Sequence, residues 1–436
     1  MSTAAEVRLW GRTIGAVSLR KGDRTAEFEY DTAFANSGIQ VAPIRMPLSR
    51  RLYRFPELST AAFHGLPGLL ADSLPDAFGQ ALINQWLATQ GRKPDSMNAI
   101  ERLCYTGTRG MGALEFRPAI AIGDDDRTAR ALEIDRLVEL ASTVLQRRNE
   151  LNTTLADETQ AEALRDILRV GTSAGGARAK AVIAWNPQTQ EVRSGQIQAG
   201  DGFEHWLLKF DGVRGNRDKE LDDPQGYGAI EYAYSLMARD CGIEMSECRL
   251  LEENGRRHFM TRRFDRTADG EKIHMQSLAA LGHFDFNRAG AYSYEQAFLL
   301  MRELDLPMQA IEQQFRRMTF NIIARNQDDH TKNIAFLMNK RGEWSLAPAF
   351  DMTYSYNPSG DWTARHQMSL NGKRDDFDLD DFKACARTIS LKRGQAETVV
   401  EAVQAVVDRW PDYAARADIP EPTALAIKRK LRSILN

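Results

Sequence analysis

Cysteine is scarce in this sequence: 436 residues hold four, Cys104, Cys241, Cys248 and Cys385, and no C-x-x-C pair. That scatter argues against a zinc site and against a disulfide framework, and it suits a reducing, cytoplasmic setting. No apolar run approaches the ~18 residues of a membrane span. The stretch from Met1 to Arg8 lacks the basic-then-apolar pattern of an export signal. Neither sign of charge dominates. With 57 Lys and Arg against 60 Asp and Glu, the net charge is −3, which provides no global attraction to nucleic acid. Internal repeats and low-complexity tracts are missing. So are the H-E-x-x-H helix of a metalloprotease and the G-x-S-x-G elbow of a serine hydrolase.

What remains is an ordinary globular composition, 43% hydrophobic and 27% charged, on a chain long enough for two or three domains. Apolar and polar residues alternate over Ala5 to Trp10, Thr13 to Leu19 and Ala26 to Tyr30, which predicts short strands with a turn at Gly11-Arg12. Helices are expected near Ala77 to Gln90 and over 98–106. Strands return at Ala181 to Trp185 and His205 to Phe210, separated by a Gly- and Gln-rich stretch, Asn186 to Gly202, that reads as a hairpin loop. A polar helical pattern fills Ala131 to Arg169, and beyond Gly228 helical spacing dominates. The expected class is α+β, with a strand-rich first part and a helical second part. The charged break at Asp124-Asp125-Asp126-Arg127 suggests a boundary. The expected division is 1–123, 124–265 and 266–436, with the middle segment holding the Gly-rich loop and a strand lysine.

The most informative residues are Asp328-Asp329-His330-Thr331-Lys332-Asn333. An Asp followed five positions later by an Asn is the arrangement of a phosphoryl-transfer catalytic loop. The Asp takes a proton from the attacking hydroxyl and the Asn ligates Mg²⁺. Asp351, eighteen residues past Asn333, could supply a second Mg²⁺ ligand. Upstream, Gly171 to Lys180 is rich in small residues that could cradle a polyphosphate with backbone N–H groups. It lacks the Lys-Ser/Thr of a P-loop, and it precedes a strand where a dinucleotide fingerprint would open a helix. Lys209 ends the strand His205 to Phe210, Glu231 is a possible partner for it, and the strand running into Arg262, Arg263 and Phe264 occupies the place of an adenine-contacting hinge. Each piece has an ordinary alternative: a flexible loop, a protective edge lysine, a surface Glu, a core aromatic. His330, alone of seven histidines beside an acidic pair, also admits a metal-dependent hydrolase built on Asp328, Asp329, His330 and Asp351.

Taken in order, the residues resemble the HipA family of bacterial kinase toxins over nearly the whole length. The resemblance rests on Leu66-Pro67-Gly68 through Leu74-Pro75-Asp76, Gly110-Met111-Gly112-Ala113-Leu114-Glu115-Phe116, Ser173 to Lys180, Arg263-Phe264-Asp265-Arg266, Asn326 to Asn333, and Phe350-Asp351. It implies a two-lobed kinase-like fold, ATP and Mg²⁺ as cofactors, and a Ser/Thr protein kinase that attacks an aminoacyl-tRNA synthetase. Asp328 becomes the catalytic base, and Asn333 and Asp351 the metal ligands. Ala174, Gly175, Gly176, Ala177, Arg178, Ala179 and Lys180 become the phosphate loop, with Lys209, His330 and the hinge Arg262, Arg263 and Phe264 completing the nucleotide site. Ser173 falls on the family's autophosphorylated serine, with Thr172 as the neighbouring acceptor. Where many relatives carry Gln-x-Lys, this chain has Arg178-Ala179-Lys180, an extra cation for phosphate or an acidic neighbour. The family also implies a small helix-turn-helix antitoxin as partner, and operator DNA contacted mainly through it. A catalytically inert subunit of such a complex is the alternative within the family.

Overall fold

In a computed structural model, alternation at the start of the chain becomes a hairpin. β1 (Thr3–Leu9) pairs antiparallel with β2 (Arg12–Leu19), and Trp10 and Gly11 both take left-handed backbone angles, as a two-residue turn matched to strand twist requires. β3 (Glu27–Tyr30) adds beside β2, and β4 (Leu114–Arg117) beside β1, giving the order β3-β2-β1-β4. Val7, Leu9, Ile14, Val17, Phe28 and Phe116 are its buried apolar residues. The residues described are 3–93, 96–118, 134, 137–139, 141–142, 171, 178–195, 200–213, 226–267 and 269–435. The expected helical stretch Ala131 to Arg169 therefore lies largely outside them.

A second sheet runs β6-β5-β7-β9-β8, from β5 (Lys180–Trp185), β6 (Val192–Ser194), β7 (Glu204–Lys209), β8 (Cys248–Glu253) and β9 (Arg256–Arg262). Helix α1 (Ala77–Thr89) starts at Asp76, whose carboxylate caps the Gly79 N–H at 2.7 Å. Its Phe78, Leu82, Ile83 and Leu87 join Ala181, Ile183 and Trp185 of β5 and Trp206 and Leu208 of β7 in one core. The period of two thereby assigns one sheet face to the core and leaves Lys180 and Lys209 on the other. One expectation fails. Asn186 to Gly202 is not all loop, because Val192–Ser194 pairs with Ile183–Trp185. A three-residue edge strand turns only Val192 and Ser194 inward, too little alternation to stand out from its Gly- and Gln-rich surroundings.

Close packing of the described residues divides the chain into two units, Met1–Val41 with Met46–Gly228 and Arg249–Met275, and Ala42–Arg45 with Ala229–Cys248 and Gln276–Asn436. The finer division at residue 124 stays a proposal, since that region lies outside the described residues. In the second unit, α2 (Tyr294–Glu303) opens with a reciprocal capping box between Ser293 and Gln296. α3 (Met308–Ile323) packs against it and against α4 (Gln395–Val407). Two β pairs interrupt the helices. Ala335–Met338 lies antiparallel to Trp344–Leu346, and Tyr292–Ser293 parallel to Met368–Ser369. No helix among the described residues is long and apolar enough to cross a membrane, and all four cysteines are buried thiols outside any disulfide.

The first unit is tied internally by Asp265, fully buried. Arg263 forks its carboxylate, Nε to Oδ1 at 2.8 Å and Nη2 to Oδ2 at 2.6 Å. Arg266 Nη1 donates to Oδ2 at 2.9 Å and the Gly112 N–H at 2.7 Å. Gly112 has φ +72°, and a Cβ there would lie 3.0 Å from the Met275 nitrogen, so the glycine is required. Burial alone would raise the Asp265 carboxyl. The two guanidinium groups and the Gly112 N–H outweigh it and hold the group well below the usual carboxylate range. A folded-state pKa below the unfolded one means stability that is present above about pH 3.9 and lost as pH falls through that of the folded protein. Asp265→Asn leaves buried cations without their anion and is expected to cost about 3–5 kcal/mol in urea unfolding at pH 7. The gap from wild type should narrow below about pH 4; equal midpoints at pH 7 would remove Asp265 from this role.

Candidate active site

The second unit builds the acidic motif at the end of a helix. α3 stops at Ala324, and Arg325 takes a left-handed φ of +56° that turns the chain out of the helix. Its guanidinium lies 4.4 Å over the Tyr356 ring and its Nη1 donates to Gln327 Oε1 at 3.1 Å, which fixes the turn. Asn326 Nδ2 then donates to Asn321 Oδ1 at 2.9 Å and lies 3.4 Å from the Asp351 carbonyl. Asn333 Nδ2 donates to the Asp328 carbonyl at 2.8 Å across a single 3₁₀ turn, Thr331–Asn333. Asn333 and Asp351 are thus anchored to the same short segment, 326–328.

The neighbouring acids differ in environment. Asp329 is 3% exposed, and both its oxygens are taken: Oδ2 accepts from Tyr294 Oη at 2.6 Å and lies 2.8 Å from His366 Nδ1, and Oδ1 accepts from the Gln367 N–H at 2.7 Å. Burial and the Asp329 charge push the Tyr294 hydroxyl far above its ordinary range, so it stays a donor. Asp328 accepts from Trp362 Nε1 at 2.7 Å through Oδ1, and His330 Nε2 stands 3.9 Å from that oxygen. Asp329 is therefore a structural anchor, both of whose oxygens are held by donors from the protein. Among the described residues no three His, Cys, Asp or Glu side chains group as a metal site. The hydrolase reading, which needs Asp329 as a ligand, is set aside on this geometry.

The first unit carries the cations. Lys180 and Lys209 stand directly opposite each other in the β5–β7 ladder, so their side chains share a face, and both are buried. Asp76 Oδ2 lies 3.6 Å from Lys180 Nζ, while Phe259, next in the row on β9, has its ring centroid 5.7 Å from Lys209 Nζ. Like charges facing across a ladder repel, and a polyphosphate at that face would turn the repulsion into binding. In the second unit the Asn333 amide nitrogen is committed, so Oδ1 is the atom it offers to a metal. With the Asp351 carboxylate it makes a hard oxygen pair of the kind Mg²⁺ takes. The residues present thus fit both ATP and Mg²⁺.

Other expected site residues are placed differently. Arg178 stacks 4.1 Å over the Tyr227 ring, and Ala179 is core, its carbonyl accepting from the Phe210 N–H. The Arg263 side chain is committed to Asp265 and its N–H to the His205 carbonyl, so a hinge contact there would fall to its carbonyl. Arg262 is half-exposed and pairs with Glu204 at 3.4 Å. Phe264 is half-buried, and Glu231 is buried in the helix Tyr227–Asp240. Thr172, Ser173, Ala174, Gly175, Gly176 and Ala177 lie outside the described residues. Trp362, His366, Gln367 and Tyr294 escaped the sequence reading altogether. Nothing in their local pattern points to residues 328 and 329.

Two family models match the chain, the HipA N-terminal domain over residues 5–117 and the HipA-like C-terminal domain over residues 172–410. Among solved structures, the Shewanella oneidensis HipA from a complex with HipB and operator DNA superposes with a TM-score of 0.64 at 17% identity, covering 98% of this chain and 97% of that one. The two share a fold. The Helicobacter pylori proinflammatory kinase CtkA aligns at a TM-score of 0.29 and 12% identity over 51% of this chain and 92% of that one, too slight a likeness to build on. No curated protein matches the sequence.

Exchanging one buried acid for another separates scaffold from chemistry. Asp329→Ala strands three donors in a buried site and is expected to lower stability by about 2–4 kcal/mol in denaturant unfolding. Asp328→Asn, which keeps an oxygen for Trp362, is expected to unfold within about 1 kcal/mol of wild type. Equal stability of Asp329→Ala and wild type would show that the anchor is elsewhere.

Proposed function

The chain belongs to the HipA family, and on that premise we propose that it is a serine/threonine protein kinase using ATP and Mg²⁺. The observation that supports this best is the bond from Asn333 Nδ2 to the Asp328 carbonyl. It ties Asn333 to the backbone of the residue whose carboxylate would take a proton, while the Asp351 carbonyl lies 3.4 Å from the amide of Asn326, two residues earlier. Bound ATP supplies the phosphoryl group and Mg²⁺ neutralises charge on its oxygens. In this reading Asp328 accepts the proton of the attacking hydroxyl at its carboxylate. Asn333 Oδ1 and Asp351 hold the metal. Lys180 and Lys209 hold phosphate oxygens, and the backbone from Ala174 to Lys180 encloses them. Arg178, stacked on Tyr227, adds a further cation for the phosphates. His330, 3.9 Å from Asp328, adds a polar edge to the site, and the hinge role of 262–264 falls to its backbone and to Phe264.

By the family likeness, the target is a protein hydroxyl on a translation factor, with an aminoacyl-tRNA synthetase as the class. Ser173, or Thr172 beside it, is the internal acceptor. A phosphate there carries roughly −1.5 to −2 charges into the segment that must approach ATP, which would switch the enzyme off. The Shewanella relative was captured with HipB and operator DNA. We extend that to a small helix-turn-helix antitoxin as partner here, with operator DNA reached mainly through it.

Incubation of the full chain with ATP–Mg²⁺ is expected to add one phosphate by intact mass, mapping to Ser173. Asp328→Asn should slow the gain by about 10²–10⁴. Asp351→Ala should weaken ATP binding in calorimetry only when Mg²⁺ is present. A wild-type chain that gains no phosphate, with ATP affinity indifferent to Mg²⁺ in both proteins, would end the kinase reading.

A further inference from the structure

The strongest unexplained contact in the second unit is the indole of Trp362 on the carboxylate assigned as base. Nε1–H donates to Asp328 Oδ1 at 2.7 Å, as short as a charge-assisted hydrogen bond. Trp362 lies in neither helix nor strand, yet its segment is laced to the acidic loop. Gln367 Nε2 donates to the Trp362 carbonyl, to the Arg365 carbonyl at 3.0 Å and to the Gln327 carbonyl at 3.3 Å. Gln327 Nε2 returns a bond to the Thr363 carbonyl at 3.3 Å. The Gln367 N–H closes the set on Asp329 Oδ1 at 2.7 Å. These bonds run to backbone carbonyls or to the anchoring Asp329. The indole is the donor that Trp362 gives to Asp328.

The chemistry of the donor matters. An indole has one polar atom, which donates and never accepts. A histidine or lysine in the same place could exchange a proton with Asp328 and compete with the substrate hydroxyl. Tryptophan cannot, and its rigid ring holds the oxygen in one direction at little conformational cost. We propose that Trp362 is a positioning residue. It holds Asp328 Oδ1 and so sets the orientation in which the carboxylate meets the attacking hydroxyl, taking no proton itself. This rests on the reading of Asp328 as base and adds a residue to it. The bland alternative is an aromatic that merely packs.

The test uses the full chain with ATP–Mg²⁺ and follows single-turnover self-labelling by intact mass against ATP concentration. Trp362→Phe keeps the apolar ring and removes the donor. It is expected to lower the saturating rate about 10- to 100-fold, the effect of one hydrogen bond to a charged group, with half-saturating ATP unchanged within about twofold. Adding Trp362→Phe to Asp328→Asn should cost nothing further. A Trp362→Phe protein at the wild-type saturating rate would overturn the proposal. So would a loss that appears equally in the Asp328→Asn background, as for a packing role. If the wild type itself gains no phosphate, the kinase reading is at fault, and the contact is judged without activity. The Trp362 indole resonance in a ¹H–¹⁵N spectrum, assigned by its loss in Trp362→Phe, should move upfield in Asp328→Asn. An unmoved resonance overturns the contact too.

Discussion

The second unit depends on one buried carboxylate. Two aspartates in sequence at the end of α3 would repel each other in a poorly solvated loop if both lacked donors. Asp329 escapes this by taking three: a hydroxyl from α2, a ring nitrogen from His366 and a backbone N–H from Gln367. The first comes from before α3 and the other two from well after it. One side chain therefore joins three distant stretches of chain, and the loop between Asn326 and Asn333 inherits its shape from that junction. Asp328 can then be a reactive group, because it does not have to hold the loop together. Adjacent residues of the same type are divided into scaffold and chemistry by their surroundings alone.

How much of this was legible follows from the range of each interaction. Period-two alternation exposed β1, β2 and β3, and apolar runs exposed β5 and β7, each within a residue or two, since a strand's faces are written in its own sequence. The D-x-x-x-x-N spacing was legible for the same reason: Asn333 reaches back to Asp328 within one turn. Trp362, His366 and Gln367 were not. Their partners lie more than thirty residues away, and no local pattern encodes a contact of that span. Arg263 shows a subtler failure. The Arg-Phe-Asp-Arg string was noticed through its resemblance to a family, and its place at a strand end suggested a hinge. What the string does is local and structural: Arg263 and Arg266 neutralise the aspartate between them, and that aspartate holds the Gly112 turn.

Buried charge is handled in the same manner in both units, by giving each ion several specific partners. Asp265 has two guanidinium groups and a backbone N–H, and Asp329 has three donors. The lysine row in the first unit sets like charges side by side. Lys180 and Lys209 face each other on one side of a ladder, where most sheets would place an opposite charge or an apolar pair. Asp76 relieves part of that cost. Its Oδ1 caps the first turn of α1 while its Oδ2 faces Lys180, so the start of a core helix and the position of a cation are set by one carboxylate. The same residue closes the Leu74-Pro75-Asp76 string. There the sequence showed a motif without a task, and the structure supplies one.

The arrangement has a consequence for how such a protein can vary. Two like charges facing each other across a ladder repel, so a polyanion bound at that face would return stability to the first unit. Replacing Lys209 by an apolar residue would remove the facing charge and, on the proposed reading, the attraction for phosphate with it. The two buried carboxylates behave in the opposite way. Asp265 and Asp329 cannot be removed without stranding their donors, whatever the chain binds.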